Sequence, residues 1–361
     1  MKYYLLSFVY FLSFLVSSAQ EQYTVREYYN GLAIVVLNDK YGFVDKNKNV
    51  VVPIKYDDVE KFQEDYAVVG LDGKYGYINR QGEEVIPLQF SGADSFREGR
   101  ARVWKNESTG FINKKGEIIV PIQYISRLRT SFHNGFAVIF DRNKCWFVNT
   151  KGKRITPIEY DYAFDFSDGL AAVKLNNKWG FINTKGKVVI PIKYDWGINA
   201  FQDERAIVNN GKTVIDKKGR EIVTAEYDYI SSFDEGLAFV RRGEECGFID
   251  KEGKEVIPLH LQYSNRHYRP IFDKNINDTI PIDYQIVTRG IWFNEGLADV
   301  MLNNKWGFID KQGNIVIPCQ YDVAYSGFEN GYAEVWIGRE HYLIDKQGNI
   351  VAKVERGVDV I

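Results

Sequence analysis

This chain has little of what metal and nucleophile chemistry needs: four histidines and three cysteines in 361 residues. His133, His260, His267 and His341 stand at neither zinc-finger nor H-E-x-x-H spacing, which excludes a zinc site built from one local motif. No G-x-S-x-G elbow and no phosphate-cradling glycine loop occurs, so the common hydrolase and nucleotide-binding signatures are absent. A dominant charge is missing as well. The formal balance is −2, or −3 once Lys2 is removed with the leader, too slight for a nucleic-acid footprint. Beyond residue 16 no apolar run approaches the length of a membrane-spanning helix, and no transmembrane segment is expected in the mature chain.

The one long apolar run is N-terminal. Lys2 is followed by Tyr3 to Val16, broken only by serines, and then by Ser17-Ser18-Ala19. This order reads as a secretory signal over 1–19, with the mature chain starting near Gln20. No cysteine follows the cut, so no lipid anchor is indicated. The expected location is exported: periplasmic, secreted or cell-surface. Export permits disulfides, but the positions of the cysteines argue against one. Cys145 and Cys246 occupy the same place in two repeats that lie three copies apart, and stacking would hold them beyond bridging distance.

What the chain has is a repeat. Its clearest copy runs from Phe166 to Tyr194: a turn closed by Gly169, a strand Leu170 to Leu175, a turn at Asn176-Asn177, a strand Lys178 to Asn183, a hairpin loop with Gly186, and a strand Val188 to Ile190 stopped at Pro191. Nine copies recur with a period of roughly 34 residues, in the range of solenoid and propeller units. Ala33, Ala67, Ala101, Ala137, Ala171, Ala206, Ala238, Ala298 and Ala333 form one column. The columns through Ile182 and Val189 are β-branched in every copy, as strand interiors prefer. The pattern predicts an all-β tandem array of nine short three-stranded antiparallel units, with an open solenoid favoured. A closed β-propeller, in which segments such as that at Tyr194 supply a fourth strand, is the alternative.

Lys178-Trp179-Gly180-Phe181-Ile182 and Lys305-Trp306-Gly307-Phe308-Ile309, each followed by a turn glycine and V-I-P, resemble the WG-repeat family. Lys40-Tyr41-Gly42-Phe43 and Lys74-Tyr75-Gly76-Tyr77 are tyrosine variants. Three copies depart: Cys145-Trp146-Phe147 loses the glycine, Lys212-Thr213-Val214 loses both signature residues, and His341-Tyr342-Leu343 is worn. The resemblance implies a β-rich interaction module, mostly bacterial, with no catalytic residues to carry over. No cofactor and no metal site is expected, and the chain is not expected to be an enzyme.

Several columns have two readings. Trp179 and Trp306 read as core, with glycan stacking as the alternative. The recurring tyrosine-aspartate pair, as in Tyr194-Asp195, reads as a turn cap rather than a calcium ladder. The lysine before the signature aromatic reads as a solvated face. Three residues after the column alanine stand Val36, Gly70, Trp104, Phe140, Lys174, Asn209, Arg241, Met301 and Trp336. This mixture fits a tailored binding surface or an unconstrained exposed position.

The period fails once. Pro258 to Phe293 takes 35 residues where other copies need 9 to 11. The insertion, about 260–291, contains Arg266, His267, Tyr268, Arg269 and Phe272, and reads as a binding loop or as a decayed half copy. The expected function is an exported scaffold binding a protein or peptide through this loop and through Trp104, Phe140 and Trp336. A glycan-binding module using Trp104, Trp336 and Tyr268 is the alternative, and a hydrolase with a site assembled across repeats is the remaining one.

Overall fold

The computed structural model describes residues 23–125, 130–196, 198–224, 226–243, 245–262, 293–302, 304–324 and 327–354. The leader expected at 1–19 and most of the insertion lie outside the described residues. Every described element is a β-strand, and the nine copies form nine small antiparallel sheets. The chain divides into two compact units, Met1–Gln123 with copies one to three and Tyr124–Ile361 with copies four to nine. No helix among the described residues is long and apolar enough to cross a membrane.

To the three expected strands most copies add a fourth, two residues long, that follows the tyrosine-aspartate pair and lies beside the first long strand. Tyr162–Ala163 is one, bordering Leu170–Leu175, Lys178–Asn183 and Val188–Tyr194 in that order. In copy one the longer strand Thr24–Tyr29 takes this place. Among the described residues, copies six and eight have three strands and copy four has two.

The signature glycine has a steric cause. In copy five Trp179 faces Tyr194, but Phe181 faces Ile190, so two steps along the second strand match four along the third. The extra residues, Pro191-Ile192-Lys193, arch over Gly180. A Cβ on Gly180 would stand 2.7 Å from the Ile190 carbonyl oxygen, and one on Gly247 only 2.3 Å from that of Ile257. Gly42, Gly76, Gly110 and Gly307 lie under the same arch. The signature glycine and the V-I-P proline are therefore two halves of one device.

Copies that have lost both the glycine and the proline lack the arch. In copy six, with Val214 there, Thr213 and Val214 face Thr224 and Val223 in a straight ladder. In copy nine, with Tyr342, the ladder from His341–Val354 to Leu343–Ala352 is also straight. Both have lost the proline too, to Thr224 and Lys353. Copy four keeps Pro157 but puts Trp146 at the glycine position. Its third strand is reduced to isolated bridges, Cys145 to Tyr160 and Val148 to Arg154. The displaced indole is buried edge-on against Tyr124 and beneath the Arg154 guanidinium.

Within each unit, neighbouring copies are joined by aromatic pairs. The residue after the signature glycine packs on the phenylalanine of the next copy's turn. Phe43 meets Phe62 at 4.8 Å, Tyr77 meets Phe96 at 4.7 Å, and Phe181 meets Phe201 at 4.8 Å. All six rings are buried, and each phenylalanine contributes roughly 1.5–3 kcal/mol of burial. Trp179 and Trp306 are also buried, as the core reading expects. Cys145 and Cys246 are buried at that same signature-aromatic position, and burial pushes both thiols up to about 12.

A polar seam accompanies this core. The turn carboxylates of Glu64, Asp203, Glu235 and Glu295 accept from the amides of Gly99, Gly236, Gly296 and Gly331 in the following copies. The step from Glu235 to Gly296 crosses the insertion, and Phe248 meets Phe293 at 5.1 Å there. Copies seven and eight are thus joined as other neighbours are, whatever lies between them in sequence. The third strand of copy seven continues to Gln262, past the expected start of the insertion.

Copy nine has a more polar outer face than copy eight. Where copy eight has buried Trp306, Phe308, Ile317 and Tyr321, copy nine has His341, Leu343, Ala352 and Val354, all at least partly exposed. His341 pairs with Glu334 at 3.1 Å and stacks on Trp336.

This packing can be tested at two points. Gly180→Ala forces the arch open and lowers stability by about 1–3 kcal/mol in urea unfolding, and an unchanged midpoint contradicts the steric account. The buried hydroxyls of Tyr160 and Tyr194 have no hydrogen-bond partner among the described residues, whereas Tyr321 donates to the Gly348 carbonyl at 3.2 Å. Tyr160→Phe and Tyr194→Phe should leave the melting temperature unchanged or raised, while Tyr321→Phe costs about 1 kcal/mol.

Candidate binding surface

The candidate surface is built from the residue that follows each tyrosine-aspartate pair. The tyrosine is core: Tyr160, Tyr194 and Tyr227 are all buried. The aspartate is a clasp. One oxygen takes the lysine of the same copy's K-W-G, as in Asp161 with Lys144 at 2.7 Å, Asp195 with Lys178 at 2.6 Å and Asp322 with Lys305 at 2.6 Å; Lys40 and Asp57 pair likewise. The other oxygen accepts a backbone amide from the next copy's hairpin turn, Asn176 for Asp161 at 2.7 Å and Gly338 for Asp322 at 2.6 Å. Lysine and aspartate, read separately in the sequence, form one pair. The aspartate caps the turn of the next copy rather than its own.

Beyond the clasp the chain turns to the surface. Alternation along the short strand buries Ala163 and exposes Tyr162. The equivalent residues in the next two copies are Trp196 and Tyr229. The exposures of Tyr162, Trp196 and Tyr229 are 37%, 70% and 40%, so copies five, six and seven each expose a large ring at the same position of the repeat sequence, on a two-residue strand in copies five and seven. Copies two, three and nine have Asp58, Gly92 and Val323 there. Phe164, 38% exposed, widens the row: it stacks on Trp179 at 5.3 Å and 12° and meets Tyr162 edge-on at 5.5 Å. Phe140 of copy four joins it through Tyr162 at 5.6 Å. Isolated exposed apolar residues are ordinary, but contiguous exposed rings, as at Phe140, Tyr162 and Phe164, mark an interaction site.

Of the residues singled out in the sequence, Arg266, His267, Tyr268, Arg269 and Phe272 lie outside the described residues. Trp104, Phe140 and Trp336 are half-buried, and each stands directly opposite the signature-aromatic position of its own copy. Trp104 faces Thr109, Phe140 faces Cys145, and Trp336 faces His341. Where the signature residue is large, its partner is small or flexible: Gly70 faces Tyr75, and Lys174 faces Trp179. A Cβ on Gly70 would come within 2.8 Å of the Tyr75 ring, and one on Gly92 within 2.5 Å of Trp104. The mixed column is thus one of size exchange across two strands, and Trp104 is the copy-three aromatic moved to the other strand. Phe140 is the member of this trio that touches the exposed row. The row itself stands one position past the residues that the sequence pattern brings to notice.

Among the described residues no group of three or more His, Cys, Asp or Glu side chains is placed to hold a metal ion. The aspartates that precede the three rings take part in the clasp contacts, Asp161 and Asp195 with lysines and Asp228 with the Gly243 amide. The clasp lysines hold Asp57, Asp161 and Asp322 below the ordinary carboxylate range.

The model of the WG containing repeat matches residues 41–75, 75–107, 110–145, 147–179, 179–213, 213–246, 247–264, 291–306 and 306–335. No curated protein matches the chain. Solved structures similar to it include a eukaryotic initiation factor, at 11% identity over 89% of this chain and 84% of that one, TM-score 0.42. AztD of Citrobacter koseri is 11% identical over 87% and 91%, TM-score 0.31. PorZ, a bacterial surface component of the type-IX secretion system of Porphyromonas gingivalis, is 11% identical over 92% of this chain and 52% of its own, TM-score 0.27. Scores this low carry no argument about function.

The clasps have a pH signature. The folded state holds Asp161 and Asp322 ionised below the ordinary aspartate pKa of about 3.9, so it binds fewer protons than the unfolded chain in that window. Their stabilisation is present above that value and is lost as pH falls through the lower folded-state pKa. Urea unfolding from pH 6 to acid should show stability falling below about pH 4. Asp161→Asn with Asp322→Asn should flatten that fall, and an unchanged slope contradicts the assignment.

Proposed function

The chain belongs to the WG containing repeat family, and on that premise we infer that it is an exported, non-catalytic scaffold that binds a protein or peptide partner along its repeat surface. The single observation carrying this reading is the exposed row Tyr162, Trp196 and Tyr229 in three consecutive copies. Export rests on the N-terminal sequence, with Lys2, the apolar run to Val16 and the small residues before Gln20. Tyrosine and tryptophan are the residues that dominate interface energetics. Tyr162 and Tyr229 stand on two-residue strands, and the aspartate before each of the three rings is held by a lysine, by a turn amide or by both, so little ordering of Tyr162 and Tyr229 is left to occur on binding. The loop residues Arg266, His267, Tyr268, Arg269 and Phe272, of the same anchor types, belong to this proposal as a second contact region.

The test is capture from the exported fraction of the native host by the mature chain, against a Tyr162→Ala, Trp196→Ala, Tyr229→Ala variant. The wild type is expected to retain polypeptides that the variant loses, with unchanged circular dichroism and melting. Equal retention by both forms contradicts the row. Retention of oligosaccharide in place of polypeptide favours the glycan reading instead.

A further inference from the structure

We propose that the ligand of the copy-five rings is an acidic segment of a protein, in which a carboxylate side chain adjoins an aromatic or aliphatic one. The carboxylate meets Lys174, and its apolar neighbour seats among Phe140, Tyr162 and Phe164. This names the partner chemistry of the surface under the proposed function and rests on that reading. Three observations select such a ligand: an ammonium without an ion pair, its place between two rings, and the angles at which the rings meet.

Lys174 stands on the strand Leu170–Leu175, directly opposite Tyr162 on one side and Trp179 on the other. Residues directly opposite across antiparallel strands project to the same face, with Cβ atoms about 5 Å apart. The lysine stem therefore lies between two rings, and the half-buried side chain carries its ammonium to their rim. The other lysines of the region are tied, Lys144 to Asp161 and Lys178 to Asp195. Among the described residues Lys174 forms no hydrogen bond or ion pair. Lys144 and the Asn176 amide hold Asp161 below the ordinary carboxylate range, and the more distant charge of Lys174 adds to this. Two lysines thus share one carboxylate, which leaves positive charge beside the rings. The pairing recurs in copy seven, where Tyr229 faces Arg241. Copies two, three and nine instead have Asp58 facing Gly70, Gly92 facing Trp104 and Val323 facing Trp336. Both two-residue strands that carry an exposed ring therefore have a cation across from it.

The ring angles select a side chain over a sugar. Tyr162 meets Phe164 at 76° and Trp179 at 70°, and Phe140 meets Tyr162 at 54°. Phe164 lies against one face of the Trp179 indole at 12°, and that indole is buried. A sugar ring stacks on a flat, open aromatic face. Here the exposed rings are tilted against one another, and the one parallel pair covers the indole. Tilted rings form a notch, which takes an aromatic or branched side chain in an edge-to-face contact. The ammonium at the rim of the notch then favours an anion close in sequence to that side chain, because a hydrogen bond from a lysine to a carboxylate is among the stronger ones.

The experiment titrates the full mature protein with the end-blocked peptide Gly-Glu-Phe-Asp-Leu-Glu-Gly by calorimetry at low and high salt. The same peptide with its acids replaced by their amides, the same with its acids replaced by lysine, and an oligogalacturonate are the comparisons. Saturable binding of the acidic peptide alone is expected, weakening as salt rises. Lys174→Gln should weaken it at least about tenfold, as truncating an anchor does. Lys174→Arg should retain it, and Lys174→Glu should transfer binding to the lysine peptide. Other copies carry Gly70, Trp104 and Arg241 at this position, so these changes leave the fold intact, which an unchanged melting temperature checks. No saturable binding of the acidic peptide, equal affinity for its amide form, no loss in Lys174→Gln, or tighter binding of the oligogalacturonate overturns the proposal. If the acidic peptide fails while the triple alanine variant still loses its captured polypeptides, the ligand class is wrong and the aromatic surface stands. If both fail, that surface is not the binding site.

Discussion

The arch of the third strand over the signature glycine is the constraint on which the rest of each regular copy depends. Packing a carbonyl within 2.7 Å of where a Cβ would be leaves glycine as the only residue for the position. The arch also sets the course of the chain beyond it. The tyrosine after the bulge returns opposite the signature aromatic, as Tyr194 does opposite Trp179. The aspartate after it then meets the lysine one residue before that aromatic. Glycine, proline, tyrosine, aspartate and lysine are thus five parts of one local geometry. Copies six and nine, which lost both glycine and proline, have a straight ladder in place of the arch, while copy four, which keeps Pro157, keeps the register of its ends with interrupted pairing between them.

This geometry separates what must stay constant from what is free to differ. Inward residues are held by the following copy through the aromatic pairs and the carboxylate-to-glycine seam. The residue just past the aspartate is held only by its backbone, at the tip of a two-residue strand. It is positioned without being buried, and its identity changes along the chain from Asp58 and Gly92 to Tyr162, Trp196 and Tyr229. A surface position that is rigid in backbone and unconstrained in side chain is where a repeat protein can acquire a partner without disturbing its core.

Much of the architecture is legible in the amino-acid order. The alanine column and the two β-branched columns mark strands, and the burial of Trp179 and Trp306 follows from their register. Pairings between columns are not legible, because a single periodic sequence shows which residues recur and not which of them meet. The lysine of K-W-G and the aspartate after tyrosine lie 17 residues apart, and nothing local joins them. Trp104 reads as a surface residue because its column varies; only the cross-strand register reveals Thr109 opposite it. One signal for the exposed row is nonetheless present in sequence. Tyr160-Asp161, Tyr194-Asp195 and Tyr227-Asp228 are each followed by an aromatic residue, and that one further position is the row. The Asn or Asp ending every second strand is equally visible. Its side chain accepts amides two and four residues on, as Asn183 does from Lys185 and Lys187 and Asp310 from Gln312 and Asn314.

Hydrogen exchange resolved by copy in the native protein tests the arch most directly. Where the glycine is present, the third strand is locked by the bulge and covered by the next copy, so its amides open only with the whole copy. The account predicts slow exchange across 188–194 and 315–321 and markedly faster exchange across 154–160, where Trp146 has displaced the strand. Equal protection in these three segments would contradict the claim that the glycine and its arch hold each copy together.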